Sequence, residues 1–167
     1  MKEIRFKQSQ PYGCGVYAIA NVLNDETFIT NQRIKVSKKG NNLHQLNQWM
    51  IKDKKGFIIE PIYLNLVTSL QPIPPKGIDF RPFDNSHVFP FILDVAHSEM
   101  GKKHLIGGLA KINGVVILMD SLKEYQFETT WEQLLSGAVY NFIIGIYGFS
   151  PKSISKENDW IMLDYDA

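Results

Sequence analysis

Asn113-Gly114 is flanked on one side by the apolar run Leu105 to Ile112 and on the other by Val115 to Asp120. An Asn-Gly pair between apolar runs is a strong hairpin signal, because both residues tolerate the positive φ angles of the tightest turns. It commits the late part of the chain to antiparallel pairing. Further strands are expected at Gly56 to Tyr63, Phe89 to Val95 and Tyr140 to Tyr147, with a short helix Trp131 to Leu135 capped by Thr130. The early part reads differently. Cys14 to Leu23 is apolar nearly all round, as a buried helix is. Asn42 to Ile51 carries Leu43, Leu46 and Met50 at helical spacing, with Asn47 as a polar interruption. Helices first and strands later predict an α+β chain, with N-terminal helices packed on a C-terminal, mostly antiparallel sheet.

The length of 167 residues predicts a single domain, 1–150, followed by a polar stretch, 151–167. That stretch reads as a surface tail or as a strap held by Trp160 and Leu163. Pro72, Pro74, Pro75, Pro82 and Pro90 mark an irregular middle section. With 44% hydrophobic and 21% charged residues the chain is of the globular class. A net charge of +1 supplies no general attraction to nucleic acid, and Lys38-Lys39 and Lys52, Lys54 and Lys55 read as solvated faces. The first residues alternate charged and apolar side chains, unlike a secretory leader, and no apolar run is long enough to span a bilayer. The expectation is a cytoplasmic protein with no membrane insertion.

The single cysteine excludes an internal disulfide and carries the most chemical information. Cys14 stands between Gly13 and Gly15 at the start of the expected helix. There, unpaired N–H groups and the positive end of the helix dipole favour a thiolate, which is the nucleophilic form. The flanking glycines allow a substrate chain to come close. Gln8, six residues earlier, places an amide where an oxyanion would form beside the backbone N–H of Cys14, with Gln10 as the competing donor.

A reactive thiolate needs a base and a group that orients it. Of the four histidines, His44 lies on the polar face of the second helix and His87 in an expected turn. His97 stands near Asp94, but Asp94, His97 and His104 have no recognised metal-ligand spacing, and neither metal nor organic cofactor is expected. His104 begins the first strand of the late hairpin and Asp120 ends the second. A carboxylate ending an apolar strand needs a partner, and an imidazole is a natural one. With an ideal two-residue turn, Ile112 would pair with Val115 and Asp120 with Gly107, which puts His104 on the opposite face from Asp120. A working pair therefore requires a one-residue offset, from a bulge at Gly107-Gly108 or from a three-residue turn.

Gln8 followed by Cys14-Gly15-Val-Tyr-Ala-Ile-Ala-Asn-Val-Leu23, Pro90-Phe-Ile92 followed by Lys103-His104-Leu105, and Gly114-Val-Val-Ile-Leu-Met-Asp120 together resemble papain-like cysteine peptidases. Among these the chain is most similar to the bacteriocin-processing, or double-glycine leader, peptidases and their free-standing relatives. The likeness spans roughly residues 3–148 and includes Trp131-Glu-Gln-Leu-Leu ahead of Phe142-Ile-Ile. It implies Cys14 as nucleophile, His104 as general base and acid, Asp120 as its orienter and Gln8 as oxyanion donor. The implied activity is hydrolysis of a peptide or protein substrate, processing a specific protein or leader, with no cofactor. Best-known members are domains of membrane exporters, whereas this chain has no membrane segment. Segment Asp79 to Ser98 departs from the pattern and puts double-glycine specificity in doubt. The rival expectation is a catalytically idle fold of this kind, serving as a structural or host-binding module in a larger assembly, virion-associated if viral. A third keeps the triad for deamidation, transglutamination or cell-wall peptide hydrolysis.

Overall fold

A computed structural model of the chain describes residues 2–9, 12–32, 42–61, 88–97, 102–111, 113–140 and 143–151. In chain order these residues form α1 (Cys14–Leu23), α2 (Glu26–Gln32), α3 (Leu43–Lys52), β1 (Phe57–Pro61), β2 (Val88–His97), β3 (Lys102–Lys111), β4 (Val115–Met119), β5 (Phe127–Thr130), α4 (Trp131–Leu135) and β6 (Ile143–Pro151). The strands make one sheet, ordered β1-β6-β2-β3-β4-β5, in which every neighbouring pair is antiparallel. The expected α+β order is therefore observed: three helices, a sheet, and one short helix inserted before its last strand. The proline-rich part of the middle section, His87 and the tail with Trp160 and Leu163 lie outside the described residues.

Alternation along the central strands divides the core between two faces. Ile92, Leu105, Leu109, Tyr147 and Phe149 face α1 and the other early helices. Phe91, Leu93, Val95, Ile106, Ala110 and Leu118 face the opposite way, where Trp131 and Leu134 of α4 cover them. α1 buries Val16, Ala18, Ile19, Ala20 and Val22. It can lie close to β3 because Gly107 stands beneath it. A Cβ there would come within 2.8 Å of the Ala18 carbonyl oxygen, a backbone atom that cannot step aside.

Local signals explain most boundaries. Asn42 accepts the Gln45 N–H while the Gln45 side chain accepts the Asn42 N–H, a reciprocal cap that starts α3. Asn47, the polar interruption, is buried. Its Nδ2 donates to the Ile59 carbonyl (3.0 Å) and its Oδ1 accepts the Ile59 N–H (2.8 Å), which ties α3 to β1. Two elements fall outside the sequence reading. α2 has only Phe28 and Ile29 as apolar anchors, and β5 is four residues long with three of them exposed, so neither carries a legible period. The last strand begins at Ile143, three residues later than expected, and runs on to Pro151, because β1 offers it partners from Phe57 to Pro61.

The late hairpin has the offset that a His104–Asp120 pair demands. β3 and β4 pair Gly107 with Met119 and Ala110 with Val116, one residue away from the register of a two-residue turn. The longer turn supplies the offset rather than a bulge: the Gly114 N–H donates to the Lys111 carbonyl (3.0 Å), and Gly114 sits at φ 88°. The Asn113 side chain accepts the Val115 N–H at 3.1 Å and steadies this turn. One further step in this register sets Asp120 opposite Ile106, on the face that His104 shares.

Candidate active site

Four segments meet where β4 ends and β3 continues. The last β4 rung is Gly107 with Met119, so Leu105 has no β4 partner. Its N–H donates instead to Cys14 Sγ at 3.4 Å. The sulfur thus stands beside the uncovered edge of β3, carried there by the first residue of α1. Gly13, just before it, has φ 89°, a left-handed conformation that a glycine reaches without strain and that turns the chain into the helix. Cys14 is half-buried, between a core residue and a surface one.

His104 is 2% exposed and lies next to Leu105. Its Nε2 stands 2.8 Å from Asp120 Oδ1. An ionised carboxylate only accepts, so the ring donates from Nε2, which leaves Nδ1 for the hydrogen bond to Cys14. Burial disfavours the imidazolium and lowers its pKa. The hydrogen bonds to Asp120 and Cys14, and the charges of both, outweigh that and raise it to about 9. Asp120 shows the converse. Burial pushes its carboxyl up, but the bond from His104, the ring's charge and the Leu122 N–H at 3.0 Å hold it below the usual carboxylate value. His104 and Asp120 therefore form an ion pair at neutral pH, with a positive ring beside the sulfur.

Gln8 arrives on a segment laid along residues 121–126. The Gln8 N–H donates to the Ser121 carbonyl (2.9 Å), Ile4 N–H to Glu124 and Gln126 N–H to Lys2. Buried Asn21 of α1 clamps the same segment, accepting the Phe6 N–H and donating to its carbonyl, both at 2.9 Å. The Gln8 side chain is 6% exposed. Its Oε1 accepts the Ser121 hydroxyl at 2.6 Å, and its Nε2 donates to the Tyr12 carbonyl at 3.3 Å. Tying the oxygen to Ser121 turns the N–H₂ end toward the loop that leads into Cys14. Gln10, the competing donor, lies outside the described residues.

His44 is not brought in: it stays on α3, its Nε2 3.1 Å from the Gln48 amide. His97 ends β2, and no group of three His, Cys, Asp or Glu able to hold a metal occurs among the described residues. Sequence reasoning missed Ser121 and the Leu122 N–H. Asp-Ser-Leu after an apolar strand has the composition of an Asx turn, which is a signal that could have found both. It also missed Asp94 as a buried carboxylate, since alternation alone does not say that both sheet faces are covered.

No helix among the described residues is long and apolar enough to cross a membrane. Compared with protein-family models and with curated proteins, the chain matches none.

Proposed function

We propose that the chain is a cysteine-type hydrolase of papain-like architecture, acting on a peptide or protein substrate through Cys14, His104 and Asp120. The observation that carries this reading is the buried His104–Asp120 pair (2.8 Å) with the Cys14 sulfur held beside it by the Leu105 N–H. A cysteine at a helix start, lodged against an antiparallel sheet that supplies histidine and then aspartate, is the arrangement expected of such an enzyme.

In the proposed cycle the His104 imidazolium keeps Cys14 as thiolate. The sulfur attacks the peptide carbonyl carbon, and the carbonyl electrons move to oxygen. The Gln8 amide and the Cys14 N–H stabilise that oxyanion. As the C–N bond breaks, His104 gives its proton to the departing amine, leaving a thioester. His104 then takes a proton from water, whose oxygen attacks the thioester and releases the acid and the thiolate. Asp120 keeps Nε2 as donor throughout, so that Nδ1 can exchange the proton. Processing of a leader or of one particular protein fits this chemistry.

Labelling by a broad thiol-reactive peptidyl probe tests the proposal. Stoichiometric modification of Cys14 is expected, absent in Cys14→Ala and slower by about a hundredfold or more in His104→Ala. A Cys14 that reacts no faster than free cysteine would mean that the fold serves as an idle scaffold.

A further inference from the structure

Among the described residues three acidic or basic side chains are buried: His104, Asp120 and Asp94. The proposed cycle uses the first two. Asp94 is 0% exposed, and neither carboxylate oxygen has a hydrogen-bond partner. Such burial costs several kcal/mol in general, and native structures seldom leave it uncompensated without a functional reason.

Its position is informative. Along β2, Leu93 and Val95 face α4, so Asp94 points with Ile92 toward α1. Its neighbour across β3 is Leu105, whose N–H holds the Cys14 sulfur and whose side chain lies 3.1 Å from where a Cβ on Gly15 would be. Its neighbour across β6 is Gly145, which puts no side chain beside it. The Tyr147 hydroxyl leans over that glycine, 3.3 Å from where a Cβ would stand. Lys103 lies diagonally across on the same face and His104 on the adjoining residue. Their charges act on Asp94, but neither hydrogen-bonds it. Burial raises its carboxyl to about 6 against those two opposing charges, which leaves it ionised at neutral pH.

We propose that Asp94 determines the specificity of the Cys14 site by accepting a cationic group, an ammonium or guanidinium, on the acyl side of the peptide that Cys14 attacks. The inference rests on the proposed thiolate chemistry and names the substrate class for it. An arriving cation gives both oxygens the partners they lack, and away from water that pairing is worth more than at a surface. Because Asp94 is closed to solvent here, the cation displaces neighbouring side chains as it enters.

The test uses dipeptidyl fluoromethyl ketones, whose fluoride the thiolate displaces, with lysine, norleucine or glutamate in turn at each of the two positions before the ketone. Rates of Cys14 modification are read by mass spectrometry. At one position lysine should exceed norleucine by about tenfold, with glutamate slowest. Asp94→Asn should abolish that preference while keeping the norleucine rate within about twofold. Equal lysine and norleucine rates in the unaltered protein overturn the inference, as does a preference that survives Asp94→Asn. If Asp94→Asn fails to fold, the lysine-to-norleucine ratio of the unaltered protein is measured at pH 5 and pH 7.5. His104, raised to about 9, keeps its proton over this range, so the ratio should fall as Asp94 gains its own. A ratio independent of pH overturns the inference. Modification of Cys14 by none of the probes overturns the thiolate reading itself, and the specificity with it.

Discussion

Asp120, just beyond β4, and Asp94, on β2, stand on either side of β3 with 5% and 0% of their surface exposed. Asp120 accepts one hydrogen bond from His104 and another from the Leu122 N–H. Asp94 accepts none. The same side chain at nearly the same depth thus has its carboxyl held down in one place and pushed up in the other. Burial is common to both, so the difference comes from hydrogen bonding. A carboxylate whose partners are built into the fold orients a neighbour, whereas one without them is suited to a partner that arrives.

The largest expected contrast is in stability. Asp120→Ala removes the carboxylate partner of a buried imidazolium and should cost about 3–5 kcal/mol. Asp94→Asn removes an uncompensated charge and should be neutral or stabilising by about 1 kcal/mol. Denaturant unfolding of the two variants measures both, and equal losses would break the comparison by making Asp94 a structural group after all.

The pH dependence of stability sharpens the contrast, because the two carboxyls act with opposite sign. Asp120 has a lowered folded pKa, so its contribution is present above pH 3.8 and is lost as pH falls through the folded value. Asp94 has a raised one, so its contribution is present below pH 3.8 and is lost as pH rises through about 6. His104, raised from 6.5 to about 9, stabilises fully below 6.5 and loses that contribution as pH rises through about 9. Unfolding free energies followed from pH 4 to pH 6 should therefore contain a downward component of at most about 3 kcal/mol that Asp94→Asn removes. A slope unchanged by that substitution would assign it to other groups.

The smallest effect concerns the segment beside Asp120. Ser121→Ala deprives Gln8 Oε1 of its donor and should cost about 1 kcal/mol. It should slow Cys14 modification by the peptidyl probe by about three- to tenfold, through a less fixed amide, and leave the pH profile of that reaction unchanged. An altered profile would mean that Ser121 acts on the His104–Asp120 pair instead.

The two sides of β3 also differ in how legible they were. On the Asp120 side, the requirement for a one-residue offset followed from counting residues around Asn113-Gly114, because a strand has a period of two. Which of two devices supplied it, bulge or longer turn, did not, since Asn-Gly suits more than one turn geometry. On the Asp94 side, the run Phe89 to Val95 announced a strand, yet nothing local distinguishes a carboxylate facing solvent from one facing a helix. Asn47 taught the same lesson: an interruption in the apolar stripe of α3 is, in three dimensions, a pair of hydrogen bonds to β1. α2 and β5 escaped notice because their stability comes from packing and pairing with neighbours rather than from their own pattern.

What the amino-acid sequence determined by itself is local and periodic: a buried helix opening at Cys14, a hairpin about Asn113-Gly114, and the order of the residues now proposed for catalysis. Those follow from backbone preferences and apolar spacing, which act over a few residues. Only the tertiary structure decided that β4 stops two rungs short of Leu105, opening the edge where the sulfur binds. It alone decided that Ser121 turns the Gln8 amide, and that Asp94 is buried without a partner. Such outcomes depend on register and on contacts between segments far apart in the chain, and no local period encodes them.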